Sequence, residues 1–212
     1  MKLYSYFRSS AAYRVRIALA LKGLDVEYQP VHLVKNEQQA DAFRSLNPQS
    51  LVPALVDGGA VLTQSLAIVE YLDEVHPEPP LLPVDPAGRA RVRAIALAVA
   101  CDIHPLDNLR VLRYLTRTLG LSDEVKDTWY RHWIDVGLAA LEAKLGAESA
   151  TGAFCHGAAP TLADVCLVPQ LANATRAGIP LDAYPTLTRI DATCRALEAF
   201  ARAAPERQPD AV

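Results

Sequence analysis

Apolar positions along the chain change their period once. Over the first eighty residues short alternating runs are interleaved with amphipathic stretches, and beyond residue 86 the period is helical throughout. Residues 2–6 read as a strand. Residues 11–22, AAYRVRIALALK, read as a helix whose broad apolar face carries Val15, Ile17, Ala18, Leu19 and Leu21, with Gly23 as its stop. Val26 to Val31 reads as a second strand and residues 37–46 as a less regular helix. Leu51 to Val56 and Ala60 to Thr63, joined by Asp57-Gly58-Gly59, predict a hairpin. Ser65 is then the expected N-cap of a helix running through Val75. The predicted order, β-α-β-α-β-β-α, describes a small α/β unit.

The segment Pro77-Glu78-Pro79-Pro80-Leu81-Leu82-Pro83-Val84-Asp85-Pro86 cannot sustain a helix or an inner strand, because its prolines lack the N–H that either ladder needs. It reads as a stiff linker and a domain boundary. After it the pattern is all helical. Residues 88–118 predict one long helical region bent at Pro105. Residues 123–145 place Trp129, Trp133, Val136 and Ala140 on one stripe, read as core, with Gly146 as the end. Thr161-Leu162-Ala163-Asp164 is a capping-box pattern opening a helix that ends near Gly178. A last helix is expected over 186–199, and the polar tail from Pro205 is expected to be loose.

Composition narrows the class. The chain has 212 residues, 51% hydrophobic and 21% charged, which suits a soluble globular protein rather than a disordered one. A net charge of −3 gives no electrostatic reason to expect nucleic acid or an anionic membrane as partner. No apolar run is long enough to cross a bilayer, and the opening residues lack the features of a signal peptide. Cys101, Cys155, Cys166 and Cys194 are widely spaced, so reduced and mostly buried thiols are expected, with no metal cluster. These features point to the cytoplasm.

Candidate chemistry falls in four places. Arg8-Ser9-Ser10 lies where the first helix begins, and a helix N-terminus with hydroxyls favours an anion, a thiolate included. Capping is the commoner role for a serine there. Val52-Pro53 is either an edge-strand proline or a cis bond that presents the Val52 backbone to a peptide-like ligand. Gln64-Ser65 opens the helix after the hairpin and offers an amide, a hydroxyl and helix-end N–H groups to a carboxylate, or simply a cap. Arg8, Arg110 and Arg176 carry planar donor forks that suit carboxylates, although a helical arginine is more often a solvated charge. His32, His76, His132 and His156 lack ligand spacing and read as structural or surface residues.

The opening Tyr4-Ser5-Tyr6-Phe7-Arg8-Ser9-Ser10-Ala11-Ala12-Tyr13-Arg14-Val15-Arg16-Ile17-Ala18-Leu19 resembles that of zeta-class glutathione transferases, which include maleylacetoacetate and maleylpyruvate isomerases. Leu51-Val52-Pro53-Ala54-Leu55, Gln64-Ser65-Leu66-Ala67-Ile68 and Cys101-Asp102-Ile103-His104-Pro105-Leu106 continue the resemblance over essentially the whole chain. The serine-rich opening is particular to the class; the other two N-terminal segments occur across glutathione transferases. The resemblance implies an α/β thioredoxin-like, glutathione-binding domain over 1–80 and an all-α, substrate-binding domain over 87–212.

It also implies roles for single residues. Ser9 would stabilise the glutathione thiolate, assisted by Ser10 and Arg8. Val52, with Pro53, would pair with the cysteinyl backbone of glutathione, Gln64 and Ser65 would hold its γ-glutamyl end, and Gln38 would lie near its glycyl end. His104 and Asn108 would close over it, and Arg8, Arg110 and Arg176 would hold substrate carboxylates. No metal is implied. The implied activity is glutathione-dependent cis–trans isomerisation of a maleyl keto dicarboxylic acid, maleylacetoacetate ahead of maleylpyruvate, by a homodimer. A transferase acting on haloacids and a non-catalytic module on the same fold are the alternatives. The family often has cysteine at the third position of the serine motif; here Ala11 stands there, so any thiol chemistry at that position relies on glutathione itself.

Overall fold

Four strands form one sheet in the order β2-β1-β3-β4 in a computed structural model that describes residues 1–211. The strands are β1 (Lys2–Ser5), β2 (Glu27–Pro30), β3 (Ala54–Asp57) and β4 (Ala60–Thr63). The helices are α1 (Ser10–Leu21), α2 (Asp41–Leu46), α3 (Ser65–Val75), α4 (Pro86–Leu97), α5 (Leu109–Arg113), α6 (Asp123–Ala147), α7 (Leu162–Arg176), α8 (Pro185–Arg195) and α9 (Glu198–Ala203). They divide between two units, one made of Met1–Leu81 with the segment from Arg195 onward, the other of Leu82–Cys194.

In the first unit β1 pairs parallel with β2, in the register Leu3↔Tyr28, and antiparallel with β3, in the register Leu3↔Leu55. A parallel neighbour requires a crossover, and α1 supplies it. Leu3 and Leu55 are fully buried, as are Val15, Ile17 and Ala18 of α1 and Ile68, Val69 and Leu72 of α3. Gly58 and Gly59 turn the β3–β4 hairpin with φ of 52° and 90°, a backbone that side chains with a Cβ resist.

Three expectations change in this unit. Helix 37–46 is split into a 3-10 turn, Glu37–Gln39, and α2, because Ala40 between them is extended. The N-cap of α3 is Gln64, with φ 68°, and Ser65 is its first helical residue; the Ser65 hydroxyl is instead occupied by Arg14, whose Nη1 donates to it at 3.2 Å. The segment after Arg195, expected in the helical domain 87–212 and loose from Pro205, packs here. Tyr13 Oη donates to the carbonyl of Phe200 in α9 at 3.4 Å, and the Gln208 amide caps Ala204 at 2.8 Å. The predicted helix over 186–199 accordingly breaks before α9, at Ala196-Leu197.

The second unit is helical. The expected bend at Pro105 is a break: α4 runs on through a π-helical stretch to Ile103, the chain turns over 104–108, and α5 continues as a π-helical stretch to Thr118. Gly137 of α6 lies against this stretch, and a Cβ there would sit 2.3 Å from the Ile103 side chain. The stripe read from Trp129, Trp133, Val136 and Ala140 is not the core face of α6. Ile134, Leu138, Leu141 and Leu145 are buried, Val136 is exposed, and the Trp129 indole is turned to donate to the Leu106 carbonyl at 2.8 Å. The capping box of α7 forms as expected. Buried Asp164 accepts from the Cys155 N–H at 2.7 Å and from the Thr161 N–H and hydroxyl at 2.8 Å each. The four cysteines are free thiols and all but Cys101 are buried. Among the described residues no helix is long and apolar enough to cross a membrane.

Asp107, in the turn after the π-helical stretch, is a buried carboxyl whose two oxygens accept no hydrogen bond among the described residues. Burial pushes its pKa up to about 7 from an ordinary 3.8. The folded chain therefore keeps this proton across a window in which the unfolded chain loses it, and stability falls as pH rises through that window.

Two outcomes follow. Asp164→Ala, which strands three buried donors, lowers unfolding stability by about 3 kcal/mol in a denaturant titration; a loss of under about 1 kcal/mol contradicts it. Asp107→Asn raises the thermal midpoint at pH 8, by about 2 kcal/mol of stability, and leaves it unaltered near pH 4; a fall at pH 8 contradicts it.

Candidate active site

Strand β1 ends at Ser5 and α1 begins at Ser10, so Tyr6 to Ser9 form a tight corner between them. Ser9 is the N-cap of α1: its Oγ accepts from the Ala12 N–H at 3.2 Å, and its own N–H donates to the Tyr6 carbonyl at 2.9 Å. The capping role and a half-buried hydroxyl at the positive end of a twelve-residue helix thus coincide in one side chain. Ser10 is buried as the first helical residue, and Arg8 is exposed, its guanidinium 5.0 Å from the centre of the Phe7 ring.

The corner rests on a buried cation. Arg16 points inward from α1, donating Nε to the Ala203 carbonyl at 3.0 Å, Nη1 to the Ser5 hydroxyl at 3.2 Å and the Tyr6 carbonyl at 3.4 Å, and Nη2 to the Phe7 carbonyl at 3.0 Å. Burial lowers its pKa to about 10, which leaves it charged at neutral pH. Arg14, also buried, joins α1 to the start of α3 through Ser65. Neither arginine stood out from the sequence as functional, although two cations within an otherwise largely apolar helix are the signal that could have marked them.

The remaining α/β residues lie on other turns of the same unit. The Val52–Pro53 bond is cis, and Val52 precedes the paired register, which starts at Ala54. The loop leading to it is held by Asn47, whose amide donates to the Leu51 carbonyl at 2.8 Å and accepts the Gln49 N–H at 3.1 Å. Gln64 is exposed at the N-terminus of the eleven-residue α3 and donates to the Gln49 side chain at 3.0 Å. Its positive φ is unusual for a residue with a Cβ, a strain often held at ligand sites. Gln38 is buried, and its carbonyl oxygen has no partner among the described residues.

In the helical unit His104 and Asn108 meet, Nε2 to Nδ2, at 3.5 Å, one turn apart around the Pro105 break. Asn108 caps α5, its Oδ1 accepting the Arg110 N–H at 3.0 Å, and the Arg110 side chain is exposed. Arg176 closes α7, with Nη2 donating to Asn173 at 2.8 Å. Its charge bears on the Tyr130 phenol of α6, whose pKa burial raises and Arg176 partly brings back. Tyr130 is a neighbour that sequence reading missed, since nothing in its spacing sets it apart. Among the described residues no cluster of His, Cys, Asp or Glu could hold a metal ion.

These features suit an acidic, peptide-like ligand in the α/β unit: a hydroxyl at one helix N-terminus, an amide at another, and a buried acceptor on the 3-10 turn. Residues 1–74 match the family model for the glutathione S-transferase N-terminal domain. A probable maleylacetoacetate isomerase of Vibrio cholerae is 55% identical over 211 residues, 99% of this chain and 97% of its own. A holo maleylpyruvate isomerase, described as a bacterial zeta-class glutathione S-transferase, superposes with a TM-score of 0.98 at 50% identity over all of both chains. A maleylacetoacetate isomerase of Methylobacterium extorquens AM1, solved with malonate and glutathione bound, superposes with a TM-score of 0.98 at 46% identity, again over all of both chains. With full-length identity of this order joined to a β1–α1 corner built around Ser9, the chain belongs to the zeta-class glutathione transferases.

Proposed function

We propose that this chain is a glutathione-dependent cis–trans isomerase that converts 4-maleylacetoacetate to 4-fumarylacetoacetate in the catabolism of tyrosine and phenylalanine. The observation that carries the reading is the Ser9 hydroxyl at the N-terminus of α1, on a corner whose preceding carbonyls are tied down by Arg16.

Glutathione, when bound, supplies a thiol that adds reversibly across the cis double bond, so that the bond rotates and the tripeptide is returned. Its fit rests on three features of the chain. The N-terminus of α3, with Gln64 and Ser65, suits the γ-glutamyl carboxylate, the buried and unpartnered oxygen of Gln38 suits a donor near the glycyl end, and Val52, set by Pro53, stands outside the strand pairing. His104 and Asn108 would contribute from the helical unit. Ser9 would hold the sulfur in its anionic form by hydrogen bonding within the field of the helix end, with Ser10 supporting the turn. Arg8, Arg110 and Arg176 would hold the carboxylates of the substrate and offset the negative charge that develops on its keto oxygen.

A second reading, isomerisation of maleylpyruvate, draws support from the holo maleylpyruvate isomerase at 50% identity. A third, conjugation of haloacids, is separated by stoichiometry. A homodimer in the cytoplasm completes the proposal, and sedimentation of the purified protein tests its oligomeric part.

Purified protein with catalytic glutathione is expected to convert maleylacetoacetate to the fumaryl isomer with glutathione undiminished, and with a kcat/KM above that for maleylpyruvate. Loss of glutathione mole for mole would favour conjugation, and no turnover of either acid would refute the proposal. Ser9→Ala is expected to lower kcat about 100-fold with a smaller change in glutathione affinity. Arg176→Gln is expected to raise KM for the acid about tenfold or more, and an unaltered KM removes Arg176 from the site.

A further inference from the structure

The structure assigns Asp210, in the C-terminal tail, as a positioning residue for the Arg8–Ser9 corner. Its carboxylate bridges two groups of the α/β unit: Oδ2 accepts the Phe7 N–H at 3.0 Å and Oδ1 accepts the Tyr28 hydroxyl at 2.6 Å. Asp210 lies 203 residues beyond Phe7, so nothing local imposes this contact.

The consequence is mechanical. The peptide unit before Phe7 is held at both ends, its N–H by Asp210 and the Tyr6 carbonyl by Arg16 Nη1 at 3.4 Å. The peptide unit after Phe7 is held at its carbonyl by Arg16 Nη2 at 3.0 Å. With both flanking planes fixed by opposite charges, the two dihedrals of Phe7 have little freedom, and they set the direction in which the chain leaves toward Arg8 and Ser9. The Phe7 ring carries the Arg8 guanidinium 5.0 Å above it, so the side chain is guided as well as the backbone. Ala211 packs against the apolar cluster of Tyr6, Phe7, Val31, Phe43 and Val52, which seats the tail over the base of the corner. Arg16 also gains from the arrangement, since the negative charge of Asp210 partly offsets the burial that lowers its pKa.

The inference rests on the roles proposed above for Arg8 and Ser9, and two measurements keep the two ideas separate. Amide hydrogen exchange on the full chain reads the corner directly: Asp210→Ala is expected to speed exchange over residues 7–9 about tenfold or more while the middle of α1 stays protected. Isomerase kinetics read its effect: Asp210→Ala is expected to lower kcat/KM for maleylacetoacetate about 10- to 100-fold, with the dissociation constant of glutathione within about twofold of wild type. Asp210→Asn, which keeps an acceptor oxygen for the Phe7 N–H, is expected to recover most of the loss. Unaltered exchange over 7–9 overturns the assignment whatever the activity. So does wild-type kcat/KM in Asp210→Ala, or a loss matched by equal losses of glutathione affinity and thermal stability that Asp210→Asn does not repair. A wild-type enzyme inactive on both maleyl acids would instead sink the functional proposal and leave the exchange result to judge the positioning role.

Discussion

The guanidinium of Arg16 lies almost wholly inside the α/β unit, and a charge is tolerable there only because carbonyl and hydroxyl oxygens surround it. That requirement shapes its surroundings. The carbonyls of Tyr6 and Phe7 must turn inward to meet it, and the chain between β1 and α1 then has one course to follow. Ser9 arrives at the N-cap with its hydroxyl on the helix end, and Arg8 is carried outward beside the Phe7 ring. The same guanidinium donates to a partner from the far end of the chain, the carbonyl of Ala203, so the C-terminal segment and the β1–α1 corner are ordered together.

The two units offer different electrostatics to a ligand. The α/β unit presents neutral donors at helix ends, at Ser9 on α1 and at Gln64 on α3, whose positions suit an anion, and one exposed cation, Arg8, beside Ser9. The helical unit presents full cations at Arg110 and Arg176, of which Arg176 is steadied by Asn173. Under the proposed function a thiolate has to be stabilised yet still leave, and modest dipolar donors serve that better than an ion pair. A substrate carboxylate has only to be held, and an arginine fork serves that.

Much of this was legible in the sequence because the signals were local. Alternation marked β1, Gly58-Gly59 marked the hairpin, and Thr161 to Asp164 marked the start of α7, each through chemistry acting over three or four residues. Ser9 at a strand-to-helix junction was legible for the same reason, as was Val52 through the proline that follows it, whereas Gln38, His104 and Asn108 were expected only through family resemblance. What stayed hidden depends on distant partners. Ser65 looks like a cap until Arg14 is found occupying its hydroxyl. The polar tail looks loose until Asp210 meets Phe7 and Tyr28. The tryptophans of α6 look like core because they are large, but the face one step around, from Ile134 to Leu145, is the one that packs. The chain breaks at 104–108 rather than simply bending, and the stretch that leads into the break is π-helical, which apolar periodicity does not report.

Under the proposed function the first helix and Ser9 hold a sulfur anion. Ultraviolet difference titration of glutathione bound to the protein measures this directly, as the pH at which thiolate absorbance appears. The bound thiol is expected to ionise about one pH unit or more below free glutathione, with most of that lowering lost in Ser9→Ala. A bound thiol that titrates like free glutathione, or one lowered equally in both proteins, would contradict it.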